Sequence, residues 1–181
     1  MANILEKIVE FKKREVQAEI DTYGREVPRR LFELPEISFS RALNESPTGI
    51  IAEFKRRSPS RGDIHPMADA AVIVPGYEAA GAAACSILTD TPFFGGSMSD
   101  FLVARQRVSL PLLRKEFISH PRQIEQAAAM GANAVLLIAA ILTQDDIELF
   151  TEQAHSLGME VLFEIHNMTE LEKFCPAIDM L

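Results

Sequence analysis

Cysteine is scarce: Cys85 and Cys175 are the only two in 181 residues. Neither has a CxxC partner or a histidine at ligand spacing, which argues against a zinc site or a disulfide framework. Both read as buried thiols, one inside an apolar run and one beside a proline, in a reducing compartment. Long apolar runs are lacking too. The N-terminus, MANILEKIVEFKKREV, interleaves charge with apolar residues as no signal peptide does, and no stretch approaches the length of a membrane span. A cytoplasmic protein with no membrane partner is expected. Positive charge is in deficit, 18 Lys and Arg against 26 Asp and Glu, for a net charge of −8. A general polyanion-binding surface, and with it nucleic-acid binding, is not expected. An anionic ligand would need a local site, and the basic cluster from Lys55 to Arg61 is such a local exception. His65, His120, His155 and His166 have no carboxylate or cysteine at metal-ligand spacing, so no metal is expected; His166, directly after a strand, is the one of interest.

Hydrophobic residues make up 48% and charged residues 24%, ordinary values for a globular chain long enough to bury a core. Ile4, Ile8, Phe11 and Val16 recur at helical spacing, which predicts an amphipathic helix over about 3–20. Residues 21–48, with Pro28, Pro35 and Pro47, read as a connecting arm with one short helix near Phe39 to Leu43. From residue 50 the pattern changes to short apolar runs: IIAEF (50–54), AACSILT (83–89), LPLLRK (110–115), AVLLIAA (134–140) and VLFEI (161–165). A sixth, IDML, begins at 178. Helical patterns separate them. Thr143 to Asp146 resembles a capping box with Asp in place of Glu. Ile147, Phe150, Ala154 and Leu157 then form one face, and Gly158 stops the helix. Ile124, Ala127, Ala128 and Ala132 form a small-residue face, and Asn167 with Glu170 opens a helix expected to bury Leu171 and Phe174.

Near-continuous apolar strands alternating with helices predict a parallel α/β sheet. An open doubly wound sheet and a (β/α)8 barrel both fit, although no GxGxxG follows the first strand. In either, chemistry gathers at the C-terminal ends of the strands. Glu53 and Lys55 lie two apart on the first strand and share a face with Ile51, opposite Phe54. A charge beneath a covering helix would be costly, so that face is expected to point inward at the mouth. Lys115 ends the third run and Glu164 the fifth. Each alone could be a strand-end charge that reaches water. Together, two lysines and two glutamates at three strand ends suit acid–base chemistry on a small anionic substrate. Arg56, Arg57 and Arg61 read as a solvated loop face, and Gly95-Gly96-Ser97 as a simple strand-to-helix turn rather than an anion nest.

The stretches IIAEFKRRSPSRG (50–62), YEAAGAAACSILTDTPFFGGS (77–97), LPLLRKEFI (110–118), GANAVLLIAAIL (131–142) and LGMEVLFEIHNMTEL (157–171) resemble indole-3-glycerol-phosphate synthase. The resemblance implies a (β/α)8 TIM barrel (residues 49–181) with an N-terminal helical extension (1–48). It implies conversion of 1-(2-carboxyphenylamino)-1-deoxyribulose 5-phosphate to indole-3-glycerol phosphate in tryptophan biosynthesis, with loss of carbon dioxide and water and without a cofactor. By resemblance, Lys115 is the general acid that protonates the substrate carbonyl oxygen. Lys55 engages the substrate carboxylate, and Glu164 is the base of dehydration. Glu53 lies near the anilino nitrogen, Ser58 lines the site, and Phe94 and Phe117 pack on the aromatic ring. The family's barrel has eight strands, and this sequence stops inside the sixth. The loops of strands seven and eight, which cradle the phosphate in this fold, lie beyond it. A poorly active fragment is therefore expected. The alternatives are a non-catalytic piece that self-associates through open barrel edges, and another phosphosugar barrel such as a phosphoribosyl isomerase.

Overall fold

The computed structural model describes residues 4–24, 26, 29, 31–32 and 37–181. Pro28 and Pro35 of the expected arm, and the first residue of the expected N-terminal helix, lie outside the described residues. That helix, α1, runs Ile4–Tyr23, and the short α2 runs Phe39–Glu45. Then follow β1 (Ile51–Phe54), a hairpin of β2 (Arg57–Ser58) and β3 (Gly62–Asp63), and α3 (Ala70–Ala79). The order continues β4 (Ala84–Leu88), α4 (Met98–Arg105), β5 (Leu112–Lys115), α5 (Pro121–Ala129), β6 (Ala134–Ile138), α6 (Gln144–Ser156), β7 (Glu160–Glu164) and α7 (Met168–Leu171).

All five strands of the main sheet are parallel, in the order β1-β4-β5-β6-β7. Beyond β7 the ladder continues as a parallel bridge from Leu162 to Met180, inside the sixth apolar run. Residue alternation along the strands explains why they read as apolar throughout. Cys85, Ile87, Leu112, Val135, Leu137, Val161 and Phe163 belong to one core, shared with Val74 of α3, Phe101 of α4, Ile124 of α5 and Phe150 of α6. Ala84, Leu113, Ala134, Leu136 and Ile138 face the other way, into a second core with Ile51 and Leu162. The helices between strands thus lie on one face of the sheet, and the opposite face lines an interior. A doubly wound sheet would carry helices on both faces; this is the arrangement of a (β/α)8 barrel, seen through its first five strands.

The residues before β1 reach both ends of the sheet. Phe39 of α2 is fully buried in the inner core, and the Ser40 amide donates to Glu160 at the start of β7. α1 instead reaches the C-terminal ends, where Phe11 meets Phe93 edge-on with ring centroids 5.8 Å apart.

Local signals mostly act as expected. Thr143 and Asp146 form a reciprocal capping box at the start of α6; Ile147, Phe150 and Ala154 are buried, and Gly158 takes the left-handed conformation beyond its end. Both cysteines are buried and unpaired, and burial pushes the Cys85 thiol up to about 12, so it is inert near neutral pH. Two expectations fail. Phe174 lies past the end of the four-residue α7 and is 41% exposed, and Leu171 is only half-buried, so that helix buries neither residue. On α1 the buried stripe is Ile8, Lys12 and Val16, while Ile4 and Phe11 are exposed. Residues at i, i+4 and i+8 do share a face, but the middle one here is a lysine.

Candidate active site

Glu53, Lys115 and Glu164 arrive from the C-terminal ends of β1, β5 and β7, with Lys55 one residue past β1. In the sheet order, β1 and β7 each stand two strands from β5, about 10 Å away at ordinary strand spacing. Long side chains on the inner face close that gap. The Lys115 ammonium lies 3.5 Å from Glu53 Oε2 and 3.5 Å from Glu164 Oε2, while the other Glu53 oxygen accepts a hydrogen bond from Lys55. The result is one chain of alternating charge, Lys55–Glu53–Lys115–Glu164. Each of the four side chains is 29–32% exposed, open to a ligand yet sheltered from bulk water. The four groups line a cavity of about 250 Å³, floored by Leu88, Leu136 and Ile138. All four candidate acid–base residues are thus brought together.

Phe94 and Phe117 form one wall of that cavity, with ring centroids 5.6 Å apart and planes tilted by 34°. The same two rings and Lys55 also line a larger cavity of about 790 Å³, so the two share a wall. Ser58 stands in the larger cavity, with Arg61 and with Ile4, Leu5 and Ile8 of α1, rather than beside the acid–base chain. Its hydroxyl accepts from the Arg61 amide and pairs with the Ser60 hydroxyl. His166 is a neighbour of the chain: its Nε2 lies 3.5 Å from Glu164 and its Nδ1 3.5 Å from Glu170. Among the described residues no group of three or more His, Cys, Asp or Glu could hold a metal ion.

The loop after β1 departs from expectation. Arg57 and Arg61 are exposed, but Arg56 is folded inward. Its guanidinium makes a bidentate pair with Asp100 of α4 at 2.6 and 2.7 Å, donates to the carbonyls of Ala68 and Gly95, and lies 5.0 Å from the Phe54 ring centre. A fork of this geometry is far more specific than a surface charge. It ties the residue after Lys55 to the turn that carries Phe94. Ser97 N-caps α4, and its hydroxyl donates to Asp100, so Gly95-Gly96-Ser97 is indeed a strand-to-helix turn.

Burial alone would raise the Asp100 carboxyl, but hydrogen bonds from Arg56 and Ser97 outweigh it and hold the group below its ordinary 3.8. A carboxylate depressed on folding contributes stability above its unfolded pKa and loses it as pH falls through the folded value. Asp100→Asn should therefore cost about 2 kcal/mol at pH 7, with the gap to the unsubstituted chain closing below about pH 4. Thermal melts of both chains across pH 3–7 check this; a gap that stays constant down to pH 3 would contradict the assigned cause.

Three residues were not expected at the site from the sequence. Ile8 lines the larger cavity from α1, Glu116 lines the smaller one, and Lys12 is buried against Glu116. Glu116 sits in the stretch LPLLRKEFI, where a second charge directly after Lys115 was the available signal. Among the described residues no helix is long and apolar enough to cross a membrane.

Comparison with known proteins bears on this geometry. Residues 5–179 match the family model for indole-3-glycerol phosphate synthase. An indole-3-glycerol phosphate synthase from Bacteroides thetaiotaomicron is 49% identical, over all of this chain and 70% of its own length. One from Neisseria meningitidis serogroup B is 46% identical over 96% of this chain and 69% of its own. One from Acaryochloris marina is 44% identical over 99% and 61%. A solved structure of mandelate oxidase with benzoyl-formic acid superposes with a TM-score of 0.52 at 15% identity, over 76% of this chain and 49% of that one, which speaks to the fold alone. The chain belongs to the indole-3-glycerol phosphate synthase family, carboxy-lyases of tryptophan biosynthesis that act on a small phosphosugar substrate.

Proposed function

We propose that the Lys55–Glu53–Lys115–Glu164 chain is the acid–base machinery of indole ring formation from 1-(2-carboxyphenylamino)-1-deoxyribulose 5-phosphate. The observation that carries this reading is the position of Lys115, with its ammonium 3.5 Å from two carboxylates on different strands. The ring carbon that bears the carboxylate attacks the ketone carbon of the sugar. That step needs a proton on the carbonyl oxygen as its negative charge develops, and Lys115 supplies it. Glu53 holds both lysines, so it orients the acid and keeps a second ammonium, Lys55, beside it for the substrate carboxylate. Loss of carbon dioxide returns the bonding electrons to the ring and restores aromaticity, so the protein needs only to orient the carboxylate and exclude water. Dehydration follows. The hydroxyl formed in closure leaves as water with a proton from a lysine ammonium, while Glu164 takes the proton from the adjacent ring carbon. Phe94 and Phe117 supply an apolar wall for the aryl ring.

Glu164→Gln tests the division of labour. It keeps the shape of the side chain and removes the base. Turnover to indole-3-glycerol phosphate, followed by indole absorbance, should fall about 100-fold, whereas carbon dioxide release in a single turnover should persist. A variant that loses carbon dioxide release and dehydration equally would place Glu164 in ring closure instead.

A further inference from the structure

Among the described residues Lys12 is the least solvent-exposed cation, and the proposed chemistry leaves it unused. Its side chain is 2% exposed, and it comes from α1, outside the strands. Its ammonium lies 2.8 Å from Glu15 Oε2, 3.1 Å from Asp90 Oδ2 and 3.4 Å from Glu116. Burial pulls its pKa down, but Glu116, Glu15 and Asp90 together outweigh burial and leave it raised, so the group stays charged.

The two buried carboxylates it meets hold the substrate-side aromatics by their backbones. Asp90 follows β4, is fully buried, and accepts the Phe93 and Phe94 amides on Oδ1 at 2.7 and 3.0 Å. Its Oδ2 has no hydrogen-bond partner and faces Lys12. Glu116 follows Lys115; its Oε1 accepts the Phe117 amide at 2.9 Å, and its Oε2 accepts the Thr89 hydroxyl at 2.7 Å. The Arg114 guanidinium stands further off, 3.8 Å from Glu116. One cation therefore sits between the carboxylate that anchors Phe94 and the carboxylate that anchors Phe117. Without it, two buried anions would repel each other, and each would carry its aromatic neighbour with it.

We propose that Lys12 is a positioning residue for substrate recognition: inserted from α1 between Asp90 and Glu116, it sets the spacing of the Phe94 and Phe117 rings that receive the aryl ring of the substrate. This rests on the reading of those two rings as the aryl wall. It also makes the N-terminal helix part of the specificity apparatus rather than only a cover, since Ile8, one turn before Lys12, lines the cavity that the same rings bound.

Lys12→Met removes the charge and keeps the length. Amide hydrogen exchange should accelerate at least tenfold at Phe93, Phe94 and Phe117, with Ala134–Ile138 of β6 unchanged. The Kd of the carboxyphenylamino substrate should rise about tenfold, read from its own aryl-amine fluorescence in a chain that has no tryptophan. Val16→Ala, on the same buried stripe, is the control for simple undocking of α1: it should lower Tm and leave the three amides protected. If Lys12→Met does not fold, Lys12→Gln, which keeps a donor and loses the charge, carries both readouts. Unchanged amides, or equal acceleration in Val16→Ala, would overturn the proposal and leave the aryl-wall reading standing. Faster amides with an unchanged Kd would overturn both.

Discussion

We expect Lys115→Met to lower turnover about 1,000-fold and to stop carbon dioxide release, while Tm moves by no more than about 4 °C. The large kinetic effect follows from the order of steps. Ring closure precedes the other two, and the acid we propose for closure is the one group placed between Glu53 and Glu164. Methionine keeps the length of the side chain and cannot deliver a proton. The small effect on stability follows from exposure. The lysine side chain is 31% exposed, so its ion pairs are partly screened, and Glu53 keeps Lys55 as a counter-ion. Only Glu164 loses its ammonium, and it is itself 32% exposed. Glu164→Gln supplies the contrast. Single-turnover carbon dioxide release should vanish in the lysine variant and persist in the glutamine variant. If Lys115→Met released carbon dioxide at the unsubstituted rate, closure would have another acid, and Lys55 would be the next candidate.

The proposed acid–base set was legible because its cause is local. Glu53 and Lys55 stand two apart on one strand, and period two puts them on one face without knowledge of any other residue. Lys115 closes one apolar run and Glu164 interrupts another one residue before its end, which marks them against a plain background. The choice between barrel and doubly wound sheet was not legible from periodicity, since it depends on whether helices cover one face or both, and only the separation into two cores decides it. Lys12 failed for a different reason. The stripe Ile8–Lys12–Val16 looks broken until Glu116, 104 residues away, is known to complete it. Arg56 is the same case at shorter range: its sequence neighbours are Lys, Arg, Ser and Pro, which suggest a solvated loop, while the partner that draws it inward is Asp100 on α4. Buried ion pairs are invisible to composition because each half, taken alone, reads as surface.

The second large effect is expected at a residue with no side chain, Gly96. A Cβ built there would lie 2.0 Å from the carbonyl oxygen of Leu88 and 2.6 Å from its carbonyl carbon. Both are backbone atoms at the end of β4, so no side chain can turn aside. The site is held from both sides: the Gly96 amide donates to the Asp90 carbonyl at 2.8 Å, and the Thr91 hydroxyl donates to the Gly96 carbonyl at 2.8 Å. Overpacking of this kind lies at the upper end of its usual range, so Gly96→Ala should cost at least about 3 kcal/mol. For a chain of this size that is a fall of about 10 °C in Tm. The damage should also reach the chemistry. Leu88 pairs in register with Lys115, and Phe94 lies two residues before the glycine, so the displaced carbonyl pushes on the rung of Lys115 and on the cavity wall at Phe94 together. Gly76, inside α3, has nothing within 4 Å of the point a Cβ would occupy, and Gly76→Ala should be neutral or stabilise by up to about 1 kcal/mol through helix propensity. Melting the two alanine variants side by side separates contact from the general cost of losing a glycine. Equal Tm values would mean that the turn between β4 and α4 can yield, and that the close approach of Gly96 to Leu88 is not what fixes Phe94 over the site.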